Sequence, residues 1–124
     1  RYSEQKESTV NNLKKLGFPD AKKSNVLLRS EGRSKSERRK SVSDKFEVIM
    51  LIGDNLADFN DEFEEKLSKE RINYTDELSN DFGIKLIVLP NPNYGDWESN
   101  GLFEGMNYNN LQKDSIRKAK IKSY

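Results

Sequence analysis

The junction between an apolar run and an acidic turn most constrains how this chain can fold. Residues 48–52 are consecutive apolar residues, rich in β-branched types and far too short to span a membrane. Such a run predicts a strand buried on both faces, as in a parallel sheet. Gly53 then permits a sharp turn, and Asp54 falls just past the carboxyl end of the strand, where open α/β sheets place their ligands.

A second carboxylate, Asp58, follows Asp54 one helix-like turn later. Such a turn would bring both side chains to the same side of the chain. Carboxylate oxygens are hard ligands of the kind that Mg²⁺ takes in proteins. The pattern therefore predicts a magnesium site at Asp54 and Asp58.

The composition excludes several kinds of chemistry. The 124 residues contain no histidine and no cysteine, which rules out disulfides, thiolate nucleophiles, the usual zinc sites and catalysis by imidazole. If this region does chemistry, carboxylates, lysine and arginine must do it. The length suits one domain, and since the sequence begins at Arg1 rather than Met, we expect a processed or partial product.

Charge is strongly segregated along the chain. Residues 1–45 carry 13 Lys/Arg against 6 Asp/Glu, residues 46–105 carry 4 against 14, and residues 106–124 carry 5 against 1. An acidic middle between basic ends favours ion pairs within the molecule over a uniform nucleic-acid-binding surface.

Apolar spacing and turn residues predict the elements around the central run. A second apolar run at 84–89, closed by Pro90, predicts a strand that neighbours the first. We therefore expect an α/β fold with a doubly wound, mostly parallel sheet. The other predicted elements are a helix at 4–16 ending at Gly17, a strand at 25–29, a short helix capped by Ser34 or Ser36 and running toward Val42, a helix at 59–67, an irregular segment at 71–82 ending at Gly83, and a helix at 110–122 packed against the sheet.

The basic run at residues 29–40 has three interpretations on charge alone. It is a solvated basic face, a nucleic-acid patch, or a segment that presents one lysine to a phosphate at a helix start, where backbone N–H groups also favour anions. The nucleic-acid interpretation is the weakest, because no aromatic residue is interleaved for base stacking and an acidic segment follows.

The loop at residues 90–98 holds two large aromatics, Tyr94 and Trp97, among prolines, asparagines and a glycine. Rigid loops at strand ends are favoured places for binding residues. Either the aromatics cover the end of the sheet or they bind a ligand, and loop chemistry does not choose between these.

Three segments, taken in order, resemble a known family. They are Lys-Ser-Glu-Arg-Arg at 35–39, Gly-Asp-Asn-Leu-Ala-Asp-Phe at 53–59 and Pro-Asn-Pro-Asn-Tyr-Gly-Asp-Trp-Glu at 90–98. Together they resemble the class C nonspecific acid phosphatases, the bacterial lipoprotein-type branch of the haloacid dehalogenase superfamily. Residues 13–18 are also similar to that family's helix after its second motif. The resemblance implies a haloacid dehalogenase-like Rossmannoid fold.

The resemblance implies catalytic and metal-binding roles. Lys35 resembles the third-motif lysine, which neutralises the phosphoryl group and the nucleophilic aspartate. Asp54 resembles the fourth-motif aspartate that binds Mg²⁺. Asp58 resembles the second carboxylate there, as a ligand or an outer-shell partner.

The resemblance also implies substrate-binding residues. Tyr94 resembles an aromatic that stacks on the nucleoside or other leaving group of a phosphomonoester. Asn91 is expected to shape that pocket. Arg1 resembles the last residue of the second motif, which usually ends in Asn-Arg.

One departure from the family is large. Its first motif, Asp-x-Asp-x-Thr-like, supplies the nucleophile, and no Asp-x-Asp pair occurs in this sequence. Residues 1–124 therefore resemble the C-terminal portion of a single phosphatase domain. The implied function is Mg²⁺-dependent hydrolysis of phosphomonoesters such as nucleoside monophosphates, through an aspartyl-phosphate, with this chain supplying the metal-binding and phosphate-binding half and inactive alone. The alternative is a non-catalytic module that binds a cation or phosphate.

Further expectations concern partners and location. The chief partner is the missing N-terminal half of the domain, without which the exposed sheet edge should make the chain unstable or sticky. We expect a small phosphomonoester substrate, no nucleic acid, no transmembrane segment in this chain and possible homo-oligomers. By resemblance the protein is extracytoplasmic, secreted or a cell-surface lipoprotein, in a bacterium.

Overall fold

The two predicted central strands pair with each other in the computed structural model, which describes residues 2–29 and 35–121. Strand β1 (Leu51–Gly53) lies parallel to β2 (Leu86–Val88), with Ile52 opposite Ile87. Because parallel strands end at the same edge of a sheet, the segments that follow Gly53 and Val88 emerge side by side. The predicted parallel α/β arrangement is confirmed, with strands shorter than the apolar runs.

Four α-helices accompany this small sheet in the described residues. They are α1 (Lys6–Lys15), α2 (Ser36–Ser43), α3 (Ser68–Glu77) and α4 (Asn110–Lys120), and a π-helical segment spans Trp97–Leu102. The predicted stop of the first helix is confirmed, since Gly17 takes a φ of +77°, which favours glycine. No helix in the described ranges is both long and apolar enough to cross a membrane.

The predicted helix at 59–67 is wrong. Two short 3₁₀ turns, Leu56–Asp58 and Asp61–Phe63, replace it, and α3 starts only at Ser68. The apolar spacing nevertheless predicted two core residues of this segment correctly, because Phe59 and Phe63 are both buried.

Asparagine side chains explain this break. The Oδ1 atom of Asn55 accepts the backbone N–H of Ala57 at 3.3 Å, and that of Asn60 accepts the N–H of Glu62 at 3.1 Å. Each bond starts a new short turn, since asparagine competes with continuous helical hydrogen bonding. Glu65 then takes a φ of +55°, which ends any helical path.

The predicted strand at 25–29 is also wrong. Lys23–Asn25 forms a 3₁₀ turn, and the only pairing that the structure describes there is one isolated bridge between Tyr2 and Arg29. One bridge does not extend the sheet.

The core is small. Among residues 2–29 and 35–121, the buried apolar side chains are those of Val10, Ala21, Val26, Phe59, Phe63 and Phe103. Edge-to-face pairs join Phe59 to Phe82 and Phe63 to Tyr74, each with ring centroids 6.0 Å apart. Aromatic pairs at these separations stabilise the fold by more than the burial of their apolar surface alone.

The predicted burial of residues 48–52 on both faces is wrong for this structure. Ile49 is 78% exposed and Ile52 is 62% exposed. Within the described residues β1 pairs only with β2, so its other edge and much of its apolar surface face outward. Such an edge favours pairing with a further strand.

Helix α4 begins at a reciprocal cap, in which the side chains of Asn109 and Gln112 each accept the other's backbone N–H at 3.0 Å. It was predicted to pack against the sheet. Instead, Arg117 of this helix contacts the segment after β2. It pairs with Glu98 at 2.7 Å and lies over the ring of Phe103.

Candidate active site

Asp54 lies directly after β1, at the sheet edge where both strands end. Its Oδ2 atom accepts a hydrogen bond from Nδ2 of Asn91, 3.0 Å away on the segment after β2. The side chain is exposed, and its other oxygen makes no hydrogen bond with the described residues. Asp54 therefore offers one carboxylate oxygen to a ligand.

Asp58 is turned back toward Asp54, as the spacing predicted. Its Oδ2 atom accepts the backbone N–H groups of Asp54, at 3.0 Å, and Asn55, at 3.1 Å. Its Oδ1 atom accepts a hydrogen bond from Nζ of Lys35. Both carboxylate oxygens are therefore engaged, so Asp58 orients the turn and anchors the lysine.

Gly53 makes this geometry possible. A Cβ at that position would lie 2.5 Å from Oδ2 of Asp58, which is closer than two non-bonded atoms can approach. The turn therefore requires glycine for close approach between the end of β1 and the Asp58 carboxylate.

Helix α2 supplies two cations to the turn. Lys35 stands at its N-terminal end, and Arg39 lies one turn later on the same face. Nη1 of Arg39 donates to the carbonyls of Ala57, at 3.0 Å, and Asp58, at 3.1 Å, and the guanidinium also pairs with Asp61. The predicted pairing of basic and acidic segments is confirmed here.

The loop at 90–98 forms the opposite wall. The backbone carbonyl of Asn91 accepts a hydrogen bond from the indole N–H of Trp97 at 3.0 Å. The side-chain Oδ1 of Asn91 accepts one from the backbone N–H of Asn93, also at 3.0 Å. Tyr94 is 69% exposed, so its ring is available at the pocket surface. Trp97 thus ties the two ends of the loop together through its indole N–H, while the ring of Tyr94 stays open to a ligand.

A pocket of about 420 Å³ lies between these walls. Its lining includes every predicted site residue that the structure describes: Lys35, Asp54, Asp58, Asn91 and Tyr94. Arg1 lies outside the described residues. The volume is within the range of small-molecule sites.

Two arginines were missed by the sequence analysis. Arg39 carried a detectable signal, since it lies four residues after Lys35 on a predicted helix. No pattern in the sequence pointed to Arg71, because it lies in a segment predicted to be irregular and its partner Asp96 is distant in sequence. The structure buries Arg71, which is 5% exposed, and places its Nη1 atom 2.7 Å from Oδ2 of Asp96.

The surroundings of Arg71 shift the pKa of its guanidinium in two opposing directions. Burial lowers the pKa of its guanidinium, and the neighbouring carboxylate of Asp96 opposes that shift. Because arginine is the most basic side chain, the group stays charged and the ion pair persists.

The carboxylates present fit part of a magnesium site. Asp54 offers a hard oxygen ligand of the type that Mg²⁺ prefers. No group of three carboxylates in residues 2–29 and 35–121 converges in a way that could hold a metal ion alone.

Comparisons with known proteins identify the family of this chain. The family model described as HAD superfamily, subfamily IIIB (acid phosphatase), matches residues 1–97. The class C acid phosphatase from Bacillus anthracis is 36% identical to this chain, with a TM-score of 0.88. The class C acid phosphatase from the same organism with tungstate bound is also 36% identical, with a TM-score of 0.89.

These similarities cover 100% of this chain and 52% of each solved structure, so the chain spans about half the length of the proteins it matches. The predicted resemblance and the haloacid dehalogenase-like fold are confirmed. Since the family model matches well over half of the sequence, this chain belongs to subfamily IIIB of the HAD superfamily, the acid phosphatases.

Proposed function

We propose that the protein containing this chain is a Mg²⁺-dependent acid phosphatase that hydrolyses phosphomonoesters such as nucleoside monophosphates. The observation that carries the proposal is one pocket lined by Lys35, Asp54, Asp58, Asn91 and Tyr94. The related Bacillus anthracis enzyme binds tungstate, a tetrahedral oxyanion like phosphate, which supports an oxyanion site in this pocket.

Lys35 would bind the phosphoryl group. Its ammonium carries three donors, and Asp58 accepts from Nζ, which holds the group at the pocket wall. A fixed positive charge aimed at phosphoryl oxygens stabilises the charge that develops during transfer. Asp58, with both oxygens engaged, acts by keeping Lys35 and the turn in place.

Asp54 would be the metal ligand of this chain. Asn91 holds one of its oxygens at 3.0 Å and so directs the carboxylate into the pocket. When bound, Mg²⁺ would offset negative charge on the phosphoryl oxygens.

The nucleophile would come from outside this chain. In the proposed reaction an aspartate oxygen bonds to phosphorus as the ester P–O bond breaks, and the leaving alcohol takes a proton. Water then attacks phosphorus, which releases phosphate and restores the aspartate. Because no Asp-x-Asp pair occurs in the sequence, the chain alone is proposed to be inactive. The alternative, a non-catalytic module that binds a cation or phosphate, would share this pocket.

The exposed surface of β1 supports a partner from the same domain. Ile52 is 62% exposed on a strand with one unpaired edge in the described residues. We propose that the remaining part of the domain covers this surface and brings the nucleophile to the pocket. A bacterial extracytoplasmic location, as a secreted protein or lipoprotein, and possible homo-oligomers are proposed on the family resemblance alone.

Phosphate release by the full-length protein tests the function. We expect release from a nucleoside monophosphate or an aryl phosphate at mildly acid pH, abolished by a chelator and restored by Mg²⁺. Phosphate or tungstate binding without any turnover would favour the non-catalytic alternative.

A further inference from the structure

Arg71 is the one buried charged side chain among the described residues, on a helix that is otherwise largely exposed. Burying a guanidinium is costly unless its donors are paired. Its Nη1 atom lies 2.5 Å from the carbonyl oxygen of Phe63 and 2.7 Å from Oδ2 of Asp96. Its Nη2 atom lies 3.4 Å from Oδ1 of Asn55.

These partners belong to different walls of the pocket. Asn55 directly follows Asp54, and Asp96 lies two residues after Tyr94. One planar, rigid guanidinium therefore ties the turn that carries the proposed metal ligand to the loop that carries the proposed stacking ring.

The Tyr94 loop is packed tightly at this connection. A Cβ on Gly95 would lie 3.0 Å from Nδ2 of Asn55, so the loop backbone rests on the same asparagine that Arg71 contacts. The second oxygen of Asp96 accepts Nδ2 of Asn100 at 2.5 Å. With both of its oxygens bonded, Asp96 fixes the loop to Arg71 on one side and to the π-helical segment on the other.

The phosphoryl-binding groups are held by other contacts. Lys35 is anchored by Asp58, and Asp54 is oriented by Asn91. Neither of these two hydrogen bonds involves Arg71. Asp96, the partner of Arg71, lies two residues after Tyr94 and five after Asn91 in the same loop. Loosening Arg71 should therefore displace Tyr94 more than Asn91 and leave the Lys35–Asp58 pair in place.

We propose that Arg71, through its ion pair with Asp96, is a positioning residue that fixes the position of the Tyr94 ring relative to Asp54. It thereby selects phosphomonoesters whose leaving group carries an aromatic ring. This inference rests on the proposed function of the pocket. It assigns Arg71 to substrate selection, distinct from the bond-breaking step.

The test compares two substrates in the full-length protein with Mg²⁺. For Arg71→Lys, which keeps the charge but cannot bridge Asn55 and Asp96, we expect kcat/KM for a nucleoside monophosphate to fall by about 10- to 100-fold. For glycerol phosphate, which has no ring to place, we expect a change within about 3-fold. Asp96→Asn should show the same selective pattern and carries the test should Arg71→Lys fail to fold.

Arg117→Lys is the matched control, because Arg117, on α4, pairs at 2.7 Å with Glu98 of the π-helical segment that also holds Asn100. It should leave both substrates unchanged. An equal loss on both substrates in Arg71→Lys and Asp96→Asn, or no loss in either, would overturn the inference while leaving the phosphatase assignment intact. A wild-type protein that releases phosphate from neither substrate would overturn the proposed function, and the inference with it.

Discussion

Lys35 and Asp58 form an ion pair that joins the start of α2 to the turn after β1, since Nζ of Lys35 donates to Oδ1 of Asp58. The other oxygen of Asp58 accepts the backbone N–H of Asp54 at 3.0 Å. One carboxylate therefore links the proposed phosphate-binding cation to the backbone of the proposed metal ligand. The predictions below concern these contacts in the full-length protein, except where the isolated chain is named.

Gly53→Ala should displace the Asp58 carboxylate, because the new Cβ would lie 2.5 Å from Oδ2 of Asp58. We expect a destabilisation of about 1–3 kcal/mol and a large loss of kcat, measured by thermal unfolding and steady-state kinetics. Gly17→Ala is the control. It places alanine at a φ of +77° with open space around it, so it should cost about 1 kcal/mol and leave kcat unchanged. Normal kcat in Gly53→Ala would contradict the role given to Asp58.

Lys35→Ala should lower kcat by about 10²- to 10³-fold, the usual loss when a preorganised electrostatic contact is removed from an active site. Initial-rate measurements at saturating substrate give this value. Lys40→Ala is the matched control, since Lys40 lies on the same helix, pairs with Asp44 and is largely exposed. Near-normal turnover in Lys35→Ala would remove Lys35 from the site.

Asp54→Asn should also lower kcat by at least about 10²-fold, and higher Mg²⁺ should recover part of the loss. The physical reason is the removal of a negative charge from the proposed metal ligand. A Mg²⁺ titration of the rate separates weakened metal binding from other effects. Asp114→Asn, at an exposed pair with Lys118 on α4, should leave the titration unchanged. An unaltered Mg²⁺ dependence in Asp54→Asn would contradict the metal assignment.

Tyr94→Ala should lower kcat/KM for a nucleoside monophosphate by roughly 5- to 150-fold, because stacking of one base on an aromatic ring contributes about 1–3 kcal/mol. Tyr94→Phe keeps the ring and should behave almost as the wild type. The comparison of the two variants on nucleoside and glycerol phosphates measures the stacking directly. Equal losses on both substrates would show that the ring serves another purpose.

The isolated 124-residue chain should show no cooperative thermal transition, because much of the apolar surface of β1 has no cover within the described residues. Circular dichroism during heating tests this. In the full-length protein Ile52→Ala should cost about 2–5 kcal/mol if the rest of the domain buries that side chain. A sharp transition in the isolated chain, or a cost near zero for Ile52→Ala, would argue against the missing partner.

Part of the pocket could be predicted from short segments. Gly53, Asp54 and Asp58 are neighbours in the chain, so a strand followed by one turn places them with little help from the rest of the molecule. Lys35 and Tyr94 came from the order of motifs within a family. The structure brings all of these except Gly53 to the lining of one pocket.

The errors have local and non-local causes. The helix predicted at 59–67 failed because the side chain of Asn60 bonds to the backbone N–H of Glu62, and because Glu65 takes a φ of +55°, so the helical ladder is interrupted. The burial expected for residues 48–52 failed because burial depends on what packs against a strand, and the described residues cover only one edge of β1.

The amino-acid sequence by itself determined the apolar strand, the glycine turn and the carboxylate pair, since backbone geometry acts over a few neighbouring residues. Only the tertiary structure decided that Arg71 bridges Asn55 and Asp96. A buried ion pair forms between groups that are far apart in the chain, and its stability depends on desolvation and exact placement, which no local pattern encodes.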